Sequence, residues 1–247
     1  MKRFLVLQLR PEDEAADEEF AAFLARGGLG EAQVRRIRLD RAPIPELSLD
    51  DYAGVIVGGG PGCVSDPPGK KTALEARIEA DILSLMPAIV GRDMPFMGCC
   101  YGLGILAHHM GGRVAQGRFG EPIGGVDCTV TEHGARDPLL AGLPGTFRAL
   151  VGHKEAVETL PEGVAHLVSA PSCPVQMVRT GRNVYATQFH PEANGESFAT
   201  RIRIYRDRGY FDPADAGRLT EMCLAEDITV PERILAGFVT RYGDVAA

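Results

Sequence analysis

Pro95-Phe96-Met97-Gly98-Cys99-Cys100-Tyr101-Gly102-Leu103-Gly104 decides the fold. Residues 95–98 are a short apolar run that reads as a buried strand. Residues 102–110 place Leu103, Leu106 and Ala107 on one helical face. The spacing Gly98-x-Cys100-x-Gly102 between them fits a nucleophile elbow, a sharp strand-to-helix turn that holds one side chain clear of the sheet. Such a turn crowds the residues two before and two after its apex, so both are expected to lack a Cβ. This requirement separates the two thiols. Centred on Cys100 the flanks are glycines; centred on Cys99 they are Met97 and Tyr101. Cys100 also begins a helix, where free N–H groups and the dipole favour a thiolate.

Working outward, the same strand–helix alternation repeats. Residues 4–9 read as a buried strand and 13–26 as a helix stopped by Gly27-Gly28. Residues 34–39 alternate apolar residues with arginines, and 53–57 form an apolar strand that runs into Gly58-Gly59-Gly60-Pro61-Gly62. A helix follows over 72–86, with Leu74, Ile78, Ile82 and Leu85 on one stripe and Pro87 as its limit. This order predicts a doubly wound parallel sheet. The rhythm then changes. Short strands at 126–131, 147–151, 164–169, 175–179 and 184–188, separated by Gly/Pro turns, predict an antiparallel extension of the sheet. Helical patterns close the chain at 198–208, 213–225 and 231–242. The expectation is one α/β domain over 1–247, a three-layer sandwich with a mostly parallel central sheet. Residues 1–195 would form its core and 196–247 a helical C-terminal elaboration.

Composition narrows the function. The 247 residues carry 26 Lys+Arg against 33 Asp+Glu, a net charge of −7. That balance disfavours nucleic acid or an anionic membrane as partner. No run approaches the ~18 apolar residues of a membrane helix. The apolar start is cut by Gln8 and Arg10 and reads as a strand rather than a signal peptide. Six cysteines without CxxC spacing point to a reducing, cytoplasmic setting and not to a disulfide framework. Adjacent His108 and His109 diverge on a helix, so no metal site is expected. The glycines at 58–62 fit neither phosphate-binding pattern. Val64 and Lys71 break the Walker spacing, and Cys63 stands at the last glycine of a dinucleotide fingerprint. No cofactor is therefore expected.

A thiol nucleophile needs a base. Gln188-Phe189-His190-Pro191-Glu192 offers one. In an extended His-Pro-Glu both polar side chains share a side, so Glu192 can hold one ring nitrogen while the other faces the thiol. A lone histidine at a strand end is more often structural, and a glycine loop is more often a plain turn. Beside an elbow, a loop N–H has a second use: with the Tyr101 amide it can form an oxyanion hole.

These pieces, in this order, resemble the class I (triad-type) glutamine amidotransferases. The match is carried by Val57–Gly62, Pro95–Gly102 and Gln188–Glu192. His153-Lys154-Glu155-Ala156-Val157, Leu160-Pro161-Glu162-Gly163 and Ser172-Cys173-Pro174-Val175-Gln176 are similar to the amidotransferase domain of GMP synthases and its stand-alone relatives. The resemblance covers about residues 50–195. It implies that Cys100 attacks the glutamine carboxamide, that the Gly60 and Tyr101 amides hold the oxyanion, and that His190, held by Glu192, moves the protons. Ammonia would pass to a synthetase, expected as a separate chain. One position departs from the family. Gly104 stands where a glutamine usually contacts substrate, which leaves open a γ-glutamyl hydrolase or peptidase acting on another γ-glutamyl amide. A non-catalytic regulatory subunit of the same fold is the third possibility. His153 is expected to be structural. Arg118 and Glu121, in a loop at 116–121, are surface residues unless a substrate's charge engages them.

Overall fold

The computed structural model describes residues 2–243. Five parallel strands build the first half of the sheet: β1 (Arg3–Gln8), β2 (Val34–Arg38), β3 (Tyr52–Val57), β4 (Phe96–Cys99) and β9 (Val184–Thr187). Antiparallel β5 (Arg113–Val130), β6 (Thr146–Thr159), β7 (Ala165–Ser169) and β8 (Met177–Thr180) extend it. Among the described residues the order is β2-β1-β3-β4-β9-β8-β7-β5-β6.

Side-chain alternation explains the layers. Leu5, Leu7, Val55, Val57 and Phe96 face one side, where they pack with Ile78, Ile82 and Met86 of α2 (Ala73–Gly91) and Leu103 and Leu106 of α3 (Tyr101–His109). Phe4, Val6, Ile56 and Met97 face the other side. There they meet Phe23 of α1 (Asp13–Gly27) and Ile234, Leu235 and Phe238 of α6 (Val230–Tyr242). Strands covered on both faces must be apolar throughout, and β3 is. Each fully buried large side chain contributes about 2 kcal/mol. Two further helices, α4 (Gly195–Tyr205) and α5 (Ala216–Leu224), enclose a small cluster of their own around Phe198, Ile202, Leu219 and Cys223, packed on Leu150 of β6.

Three local expectations change. The helix expected to stop at Pro87 continues to Gly91. Its start is fixed by a reciprocal Thr72–Glu75 capping box, and Ile89, fully buried, lies beyond the proline. Burying that side chain and completing the last turn offset the hydrogen bond that Pro87 cannot donate. The stretch 116–121 is not a loop but part of β5, which pairs with β6 through an irregular register. Gly117, Gly120, Gly124 and Gly125 interrupt the period-two pattern there and hide the strand in the sequence. His153 likewise lies within β6 rather than in a turn.

Candidate active site

Cys100 occupies the junction between β4 and α3 with φ 54° and ψ −93°, a conformation that costs a non-glycine residue about 1–3 kcal/mol. Its N–H donates to the Thr187 carbonyl of β9 at 2.7 Å, which ties the strained turn to the sheet. The requirement for glycine is one-sided. A Cβ on Gly98 would lie 2.7 Å from the Gly102 carbonyl carbon and 2.8 Å from its oxygen. A Cβ on Gly102 would meet only Val57, at 3.4 Å or more, an ordinary contact. Cys99 points the other way, into the core on the face of the sheet covered by α1 and α6.

His190 and Glu192 come together as expected, by a different backbone route. They lie past the end of β9, in a turn closed by the Ala193 N–H to the His190 carbonyl at 3.2 Å, rather than in an extended strand. His190 Nδ1 is 2.8 Å from Glu192 Oε1. The carboxylate can only accept, so Nδ1 carries the proton and Nε2 presents its lone pair. The ring is pinned edge-to-face by Phe198 at 5.7 Å and backed by Gly59, where a Cβ would press to 2.6 Å from Cε1. The glycine loop is thus glycine partly to admit the imidazole. Cys100 and His190 open on one cavity together with Gly60, Arg10, Arg201 and Tyr210.

Electrostatics set the resting state. Burial pushes the Cys100 thiol up to about 12, opposed in part by Arg10. The thiolate expected from the helix terminus is therefore outweighed by desolvation in the free protein. Burial also holds the imidazole of His190 below its usual range; Glu192 opposes this, while Arg201 and Arg10 reinforce it. For Glu192, burial alone would raise the carboxyl, but His190 and Arg201 beside it bring it well below the usual carboxylate range. Burial thus works against charge on both thiol and imidazole and favours a neutral pair, beside a carboxylate whose neighbours favour its ionised form.

A second cavity wall is formed by Gly60, Tyr101, Gly104, Glu155 and Gln188 around Cys100. The amide of Gln188 lies 3.8 Å from the Cys100 sulfur. Glu155 fills the region over Gly104: its Oε1 would be 3.1 Å from a Cβ there. It is fixed by the Val64 N–H at 2.9 Å, the Ser65 N–H at 2.8 Å and the Ser65 hydroxyl at 2.7 Å. Tyr210 covers this pocket. Its hydroxyl donates to the Pro61 carbonyl at 2.9 Å, and Lys154 Nζ stands 4.2 Å over its ring.

Glu121 is not a surface residue. It is buried and accepts from Gln176 at 2.7 Å and from the Ser172 hydroxyl, and it contacts His153 Nε2 at 2.8 Å. His153 Nδ1 faces the Glu155 carbonyl at 2.8 Å, so this histidine braces the wall that carries Glu155. Glu121, His153 and Cys173 bring one possible metal-binding atom each within 4.8 Å, but both Glu121 oxygens are already taken by hydrogen bonds. Arg118 is exposed and lies over Phe119.

Arg10, Tyr210 and Arg201 had no motif to announce them, and Glu155 lay in the His153–Val157 stretch without a role of its own. Of the first three, only Arg10 left a trace, as a charge directly after a buried strand.

The architecture defines a class first: a three-layer α/β protein organised around a strained cysteine elbow. Sequence comparison is more specific. The chain belongs to the class-I glutamine amidotransferase family, whose model matches residues 22–203. It is 31% identical over 167 residues to one subunit of a glutamine-hydrolyzing GMP synthase from Natronomonas pharaonis, covering 67% of this chain and 78% of that one. It is also 31% identical over 151 residues to a glutamine-hydrolyzing GMP synthase of Neisseria meningitidis. That match covers 61% of this chain, which spans only 26% of the relative's length. A glutamine amidotransferase crystal structure from Thermotoga maritima superposes with a TM-score of 0.77 at 18% identity, covering 98% of each chain, and so shares the fold. No helix among the described residues is long and apolar enough to cross a membrane.

Proposed function

We propose that the protein hydrolyses a γ-glutamyl amide, glutamine in the first instance, with Cys100 as nucleophile. The observation that carries this reading is the shared cavity of Cys100 and His190, with His190 Nδ1 fixed on Glu192. Nε2 takes the thiol proton as sulfur bonds to the carboxamide carbon. The oxyanion is held by the amides of Gly60 and Tyr101, the latter in the first turn of α3 where N–H groups lack helical partners. Collapse of the intermediate breaks the C–N bond, and His190 delivers its proton to the departing amine. Water, deprotonated by His190, then releases glutamate from the thioester. Ammonia would serve a separate acceptor enzyme. The Natronomonas pharaonis relative, itself named as one subunit of a GMP synthase, supports this division between chains.

Glu155 favours a second reading, in which the preferred substrate is a γ-glutamyl amide other than glutamine. A carboxylate occupies the space over Gly104, so the pocket there presents negative charge in place of a neutral amide. Ammonia or amine release from glutamine, γ-glutamyl methylamide and γ-glutamyl dipeptides decides between them. Turnover of glutamine at the highest kcat/KM supports the first reading. Turnover of the substituted amides with none of glutamine overturns it, and turnover of none overturns both. Gly104→Gln is expected to reduce activity rather than restore a missing contact. Its Cβ would press on Glu155 and, at 3.2 Å, on Val64, disturbing the wall that Glu155 holds.

A further inference from the structure

Arg201 is a buried arginine on α4 that touches both partners of the base without being one of them. Its Nη2 donates to Glu192 Oε1 at 3.0 Å, the same oxygen that takes His190 Nδ1. The other carboxylate oxygen, Oε2, is buried and takes no hydrogen bond, so both donors converge on one atom. Nη1 of Arg201 lies 3.2 Å from His190 Nδ1 itself. With Nδ1 protonated, that contact sets a cation against an N–H, and it worsens when the ring gains a second proton. The guanidinium is held there by the Phe198 ring at 5.6 Å and by Glu18 of α1 at 3.4 Å.

We propose that Arg201 is a positioning residue that fixes Glu192 against His190 and opposes formation of the imidazolium. This rests on the reading of His190 as the base for Cys100. The charged and titratable groups facing the ring come from each element around it. Glu192 is in its own turn, Cys100 is in the elbow, and Arg10 follows β1 with Glu19 of α1 behind it at 2.9 Å; Arg201 and Tyr205 belong to α4, and Tyr210 follows it. Of the two arginines, Arg201 is the one in contact with Nδ1. The arrangement has a use. A free thiolate–imidazolium pair is open to alkylation and oxidation, whereas a neutral pair is not, and only the thiolate is reactive. It also makes the base depend on α4, a helix outside the elbow and the turn that carry Cys100 and His190.

The test is the pH dependence of Cys100 alkylation by iodoacetamide, located by peptide mass spectrometry, with kcat/KM for glutamine measured in parallel. The small fraction of thiolate–imidazolium in equilibrium with the neutral pair gives an alkylation plateau that falls at low pH as the neutral pair takes up a proton on His190. Arg201→Met removes the neighbouring cation. Its acidic limb should move up by about one pH unit, and its plateau should rise by about tenfold, the same unit expressed as an equilibrium. Arg201→Lys, which keeps the charge, should stay near the parent, as should Arg203→Gln, an exposed change on the same helix. An unmoved limb in Arg201→Met, with only a lower Tm, overturns the proposal and leaves a structural ion pair. If His190→Asn alkylates with the parent's profile, the base assignment itself is wrong, an outcome distinct from the first.

Discussion

Cys100→Ala should abolish amide hydrolysis, with kcat falling by roughly 10⁴-fold or more, as happens when the nucleophile of a cooperating set is removed. Cys99→Ala should keep most of it. The two residues are neighbours in sequence and opposites in structure. Cys99 is a β4 residue in the core on the face covered by α1 and α6, so its loss leaves a small cavity and costs stability by about 1 kcal/mol. Cys100 is at the elbow and opens on the cavity that holds His190. Single-turnover assays, with acyl-enzyme trapped and located by mass spectrometry, distinguish them. Activity that follows Cys99 instead would move the nucleophile by one residue and remove the argument from the glycine flanks.

Gly98→Ala is expected to damage the elbow although it alters no polar group. Its Cβ would sit 2.7–2.8 Å from backbone atoms of Gly102, and backbone cannot swing aside as a side-chain tip can. Either the elbow opens, which displaces Cys100, or the fold absorbs the overlap at about 3 kcal/mol. Gly102→Ala is the control. Its Cβ meets Val57 at an ordinary 3.4 Å, and alanine is favoured over glycine within a helix by roughly 0.5–1 kcal/mol. Urea denaturation should show a clear fall in midpoint for Gly98→Ala and a near-parental value for Gly102→Ala. Activity should follow the same order. Equal losses in the two variants would show that the turn is symmetric, contrary to the geometry.

This contrast marks how far the sequence could be followed. The pattern Gly98-x-Cys100-x-Gly102 located the elbow, but pattern alone weighted both glycines equally. Only the packing of Gly98 against the start of α3 shows that one of them is sterically required. The same holds for the base. Two polar residues flanking Pro191 suggested a pair, and they are one, yet they meet across a turn and not along a strand. Side-chain period is a property of regular backbone, and the chain had already left it. The long strands β5 and β6 were legible only in part, because several glycines erase the alternation on which a strand is recognised.

Much of what depends on neighbours in the chain was legible from residue order. The apolar strands of the parallel half, the stop of α1 at Gly27-Gly28, the elbow and the His-Pro-Glu segment are local patterns, and local sterics and burial enforce them. Charge and closure belong to the tertiary structure. Arg201 reaches Glu192 from α4, Arg10 reaches the cavity from the end of β1, Glu155 fills the space over Gly104, and Tyr210 covers the pocket. None of these has a spacing relation to Cys100, because each arrives on a different element. Desolvation, which raises the thiol and lowers the imidazole, exists only once those elements have closed around them.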